Sequence, residues 1–144
     1  ECAQCQDLLS LFYDNLKKYD KALENYILAI KEAEKVQNLY VQVICHNRMG
    51  DIYSEEKKYK IAIRQYHFSI LIAILIKDSA DLSENYNKLG TIYKQINIVD
   101  SSLYYHFKAL EIRLKSGSKK SLANTYNNIG LIYKKIKTYK IIKN

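Results

Sequence analysis

The chain has 144 residues, 26% charged and 48% apolar, a size and balance that fit one folded domain and exclude a disordered tail. It holds no Pro, four Gly and fourteen Tyr, and so few turn-formers point to helices joined by short connections rather than to a β-rich fold. The net charge of +8 lies wholly in the second half, since residues 1–72 carry ten acidic and ten basic side chains and residues 73–144 five and thirteen; this suggests an acidic partner or an anionic surface near the C-terminal end, although solvated lysines are the plainer and favoured reading of the charge alone.

Along the chain, helices are predicted near 2–16, 19–36, 40–56, 59–77, 82–96, 99–115 and 120–136, with a stub from 138 and linkers at 37–39, 78–81 and 116–119. The clearest loop signal is the SGS at Ser116 to Ser118. The longest apolar run, Ile70 to Ile76, is far short of the ~20 residues of a membrane-spanning helix. Cys2, Cys5 and Cys45 are too sparse for a disulfide framework. The CxxC of Cys2 and Cys5 is followed by Gln6 and has no second pair, so neither haem attachment nor zinc is expected. A reducing cytoplasm is the expected compartment. Because the chain opens on Glu1 and not Met, an upstream segment is expected to have been removed.

One period runs through these elements. Gly50, Gly90 and Gly130 are 40 residues apart, as are Tyr53, Tyr93 and Tyr133, with Tyr13 extending the series. Met49, Leu89 and Ile129 precede the glycines, and Ala22, Ala62 and Ser102 match further along. So do Tyr26, Tyr66 and His106, and then Ala29, Ser69 and Ala109. Gly inside a helix costs ~1 kcal/mol against Ala. Its recurrence therefore predicts close approach of a second helix, whose small–aromatic–small stripe fills the gap.

These residues resemble the tetratricopeptide repeat, in which a large apolar residue, Gly and Tyr mark the first helix and Ala, aromatic, Ala the second. The resemblance covers nearly the whole chain as units of about 1–39, 40–80, 81–119 and a truncated 120–144. It departs in Ser10 at a Gly position, in Val99 and His106 at aromatic positions, and in lacking the Pro near the end of the second helix. The period exceeds the common ~34 residues, and the second helix is expected to absorb the difference. Similar longer variants occur in kinesin light chains and in bacterial peptide-binding regulators. The resemblance implies an all-α, right-handed superhelix of antiparallel hairpins, a single solenoid domain over 1–144.

It also implies a concave groove lined by the first helix of each hairpin. Three before each Gly stand Asn47, Asn87 and Asn127; two before stand Arg48, Lys88 and Asn128; a turn later come Ser54, Lys94 and Lys134. Asn offers donors and an acceptor at once, which suits a peptide main chain. Arg48, Lys88, Lys94, Lys134 and Lys135 make the groove basic toward its C-terminal part, so the expected ligand is a peptide or protein segment with acidic character. The chaperone-type carboxylate clamp is not matched: its positions hold Asn47, Asp51, Lys88, Asn124 and Asn128.

A second surface is expected on the helix near 59–77, where Leu71 and Leu75 align with charged residues of the neighbouring units and Phe68 shares their face. It is a candidate interface for self-association, the alternative reading being a self-assembling scaffold. No catalytic residues, cofactor or metal are expected: His46, His67 and His106 occupy non-equivalent repeat positions, and no phosphate loop or HExxH is present. RNA binding is the weaker rival, because most Tyr sit at packing positions and few are left to stack on bases.

Overall fold

The computed structural model describes residues 18–116 and 119–143. The predicted first helix, with Cys2, Cys5, Ser10 and Tyr13, lies outside the described residues, as do Gly117 and Ser118 of the SGS loop.

Among the described residues there are six helices and no strand: α1 (Tyr19–Lys35), α2 (Leu39–Glu55), α3 (Tyr59–Leu75), α4 (Ser79–Gln95), α5 (Val99–Ser116) and α6 (Lys119–Lys143). The chain divides into two compact units between Asp81 and Leu82, inside the first turn of α4. In the first unit α2 packs on both α1 and α3; in the second α5 packs on α6.

The prediction placed the six extra residues of the period in the second helix. The structure shares them out: α1, α2, α3 and α4 are each 17 residues long, with three-residue turns between them. Each turn closes the same way. Gln37, Lys57, Lys77 and Asn97 adopt φ of 53°, 60°, 58° and 62°, the left-handed region that usually selects Gly. The amide of the next residue then reaches back to a carbonyl five positions earlier, as in Asn38 to Ala33 at 2.8 Å and Lys58 to Tyr53 at 2.8 Å. This pairing satisfies the carbonyls orphaned at a helix end.

Two predicted boundaries are corrected. The helix expected from 82 starts at Ser79, because the Asp78 carboxylate accepts from the amides of Ala80 and Asp81, both at 3.0 Å, and caps the first turn. The break expected at 137 does not occur. α6 runs unbroken to Lys143, through a stretch with neither Gly nor Pro to stop it.

The repeat glycines explain the packing. A Cβ at Gly50 would lie 2.6 Å from Cε1 of Tyr66, and one at Gly90 would lie 2.8 Å from the ring of His106. In both hairpins the ring of the second helix therefore sits directly on the glycine of the first. Ala22, Tyr26, Ala29 and Ala33 of α1 close the core of the first unit against Val41, Cys45, Met49 and Ile52 of α2. Burial of Val41, Met49 and Ile52 stabilises by roughly 1.5–3 kcal/mol each.

Candidate functional site

The candidate residues lie on the first helix of each hairpin, α2 and α4, and on α6, and the structure places them unequally. Asn47 and Asn87, at 8% and 6% exposure, are buried, whereas Asn127 is exposed. Arg48 and Lys134 are exposed; Lys88, Lys94 and Asn128 are half-buried.

In the second unit Asn87 is an internal hub. Its Oδ1 accepts from His106 Nδ1 at 3.1 Å and from Asn128 Nδ2 at 3.2 Å, and its backbone carbonyl accepts from Thr91 Oγ1 at 3.1 Å. The accepting Oδ1 fixes the histidine tautomer with its proton on Nδ1. His106 Nε2 is then left buried with no partner among the described residues. Burial, reinforced by the nearby cations Lys94 and Arg113, pushes the His106 pKa down to about 4. In the first unit a tyrosine replaces that histidine. Tyr66 sends its hydroxyl to Asp51 at 2.7 Å instead, and Asn47 Oδ1 has no donor among the described residues.

The C-terminal part of the candidate set does form a recess. Leu131, Lys134, Lys135, Thr138 and Tyr139 line an open cleft of about 450 Å³ on α6. Their spacing of three and four residues puts them on one helical stripe. Lys135 donates to Asn97 Oδ1 at 2.6 Å and lies 5.9 Å from the centre of the Tyr139 ring, within cation–π reach. The sequence reading reached Lys134 and Lys135 but not Thr138 or Tyr139, which it had cut off in a separate stub; unbroken helical spacing from Leu131 would have found them.

Sequence reasoning also passed over Arg113, which takes the repeat position of Ala33 and Ala73 and is 3% exposed. It bonds Glu84 of α4 at 2.6 Å, and Thr125 Oγ1 and the Ser121 carbonyl of α6 at 2.7 and 3.1 Å. One side chain thus ties three helices of the second unit together. The expected apolar surface is present: Phe68, Leu71 and Leu75 of α3 are 46%, 65% and 69% exposed.

The comparisons agree with this architecture. Residues 3–36 match the family model of the tetratricopeptide repeat. That match covers about the first quarter of the chain. Among solved structures, this chain is similar to BtubC (BKLC) from P. vanneervenii, with a TM-score of 0.82 and 26% identity over 92% of its length. It spans only 55% of that protein. It is also similar to the N-terminal domain of stress-induced protein-1 (STI-1) from C. elegans, with a TM-score of 0.71 and 14% identity, covering 88% of this chain and 93% of that one. No curated protein matches the chain. Among the described residues no helix is long and apolar enough to cross a membrane.

Proposed function

We propose that the chain binds an acidic peptide or protein segment on its second unit, along the exposed faces of α4 and α6, with the α6 cleft as the anchoring point. The observation that carries this reading is the composition of that cleft: the Leu131 and Tyr139 side chains are flanked by the ammonium groups of Lys134 and Lys135, and among the described residues no carboxylate lines it. A ligand carboxylate there gains charge-assisted hydrogen bonds while its aliphatic part covers Leu131. Asn127, exposed one turn earlier, supplies a donor and an acceptor to a main chain. Arg48 on α2 and Lys88 and Lys94 on α4 extend the basic character in their own units. Asn47 and Asn87 join only by turning outward, since both are buried. A reducing compartment such as the cytoplasm suits a cysteine buried in the core of the first unit, as Cys45 is.

The test is selection of a random peptide library on the wild-type chain, followed by titration calorimetry of the winners. Expected are sequences rich in Asp and Glu, affinity that falls with salt, and a loss of at least about tenfold, ~1.4 kcal/mol, in the double variant Asn127→Ala, Lys134→Ala. Winners without acidic bias, or salt-independent affinity, overturn the acidic reading; equal affinity in the variant overturns the site. A second reading, self-association through Phe68, Leu71 and Leu75, is favoured by their exposure. Sedimentation of the wild type alone, without ligand, separates it from the first.

A further inference from the structure

The exposed apolar side of α3 belongs to the middle of the chain, with described helices before and after it. Leu71 and Leu75 take the repeat positions of Lys31 and Lys35 on α1 and of Glu111 and Lys115 on α5, and those four charged side chains are all exposed. The repeat therefore turns these two positions outward in α1, α3 and α5 alike, and α3 puts leucine there. Phe68 and Ile74 join them, so that four large apolar side chains lie open at 46% to 69%.

The order of residues along this side says what fits it. Arg64, Phe68, Leu71 and Leu75, all exposed, are spaced four, three and four apart, the interval of a seam between two helices. The cations Lys60 and Arg64 stand on the N-terminal half, and α3 holds no acidic residue and no basic one in its last turn. A lone helix favours the reverse, because the N-terminal end of its backbone is the positive pole. Just past the C-terminal end comes Asp78, whose Oδ1 accepts from the amides of Ala80 and Asp81. Lys77 stands beside it in the left-handed turn, so the negative end of the seam is the Asp78 carboxylate together with the carbonyl pole of α3. From N to C the side runs cationic, apolar, anionic, with Leu71 midway between Arg64 and Asp78. A surface ordered in this way is complementary to its own reversed copy.

We propose that α3 pairs antiparallel with α3 of a second copy about a twofold axis at Leu71. This pairing rests on the self-association reading above and gives it a geometry. Leu71 meets Leu71 on the axis, Phe68 meets Ile74 and Leu75, and Arg64 reaches Asp78 and the carbonyl end of the opposite helix. Each contact off the axis is made twice, as in any isologous interface. A lipid surface fits less well: it would favour cations on every side of the apolar patch, and here one end carries a carboxylate.

The test is sedimentation equilibrium of the full chain without ligand. A dimer is expected for the wild type and a monomer for Leu71→Glu, which sets two carboxylates together on the axis; α5 carries a glutamate at this position, so the fold accepts it. Arg64→Asp and Asp78→Lys each weaken self-association at least about tenfold, and an equal mixture of the two restores it, because each supplies the charge that the other reversed. A second measurement avoids the helix cap that Asp78→Lys removes. With Cys2→Ser and Cys5→Ser, Leu71→Cys is expected to form an intermolecular disulfide, since its two copies face each other on the axis. Lys60→Cys, about 16 Å from the axis along the helix, is not. A wild type that stays monomeric at its highest soluble concentration overturns the pairing and the self-association reading together, whether or not it binds anionic vesicles. A dimer that crosslinks at Lys60→Cys but not at Leu71→Cys, or folded charge variants that pair no better mixed than apart, overturns the antiparallel pairing and leaves the self-association reading standing.

Discussion

The hairpins α2/α3 and α4/α5 share one frame and fill it with different chemistry. In both, glycine of the first helix meets a ring of the second at less than 3 Å from where a Cβ would stand. Around that contact the first hairpin is conventional, with Ala73 buried and a tyrosine whose hydroxyl reaches the half-buried Asp51. The second has His106 for Tyr66, Arg113 for Ala73, Ser83 for Val43 and Asn85 for Cys45, all buried. The frame therefore demands small residues and a planar ring at fixed places and leaves the rest open, even to buried polar side chains, most of whose groups find partners.

The largest effect should come from Arg113→Ala. It leaves a cavity and strips Thr125 and Ser121 of a donor, and a loss of about 3 kcal/mol is expected in urea denaturation. A loss under about 1 kcal/mol would mean that the second hairpin tolerates the alanine of the first, and the contrast between them would collapse.

The second effect is on pH. His106 has a folded pKa of about 4 against 6.5 for a free histidine. The unfolded chain therefore binds the proton first as pH falls. Stability is fully present above pH ~6.5 and is lost progressively down to ~4, by as much as about 3 kcal/mol. Burial lowers the pKa of His46 and His67 in the same direction, so the test is a difference. His106→Phe keeps a ring on Gly90 and should flatten the slope of thermal stability against pH in that window. An unchanged slope would place the titration elsewhere.

The third is a pair of opposite signs. Gly50→Ala drives a methyl into the Tyr66 ring, which its hydroxyl bond holds in place. It should cost about 1–3 kcal/mol of overpacking, only partly offset by ~1 kcal/mol of helix propensity. Gly130→Ala has no ring to meet and should gain about 1 kcal/mol. Melting temperatures that move in the same direction would show that the two glycines are not in different states.

The frame was legible in the sequence because its positions recur: Gly50 and Gly90 with Tyr66 and His106 sixteen residues on announced both the helices and their contact. Exposure of Phe68, Leu71 and Leu75 was legible for the same reason, since the aligned residues are charged. What did not recur was hidden. Arg113 reads as one more surface cation until α4 and α6 are seen around it. Asn47 and Asn87 look equivalent to Asn127, yet both are buried on helices whose glycine is covered by a ring of the next helix, while Asn127 stays exposed. The boundaries at Ser79 and Lys137 were missed because a single aspartate cap and the mere lack of a breaker are weak local signals.

The left-handed residues at 37, 57, 77 and 97 carry a consequence for how such a chain can change. They divide residues 18–97 into equal measures of twenty, each a helix and its stop. Losing a single residue from one helix advances everything after it by about 100° of helical rotation, turning lysines inward and the repeat glycine away from its ring. Gain or loss of a whole measure reverses the direction in which the next helix runs. Only a double measure returns every side chain to its place, so length here can vary by forty residues at a time and scarcely by one.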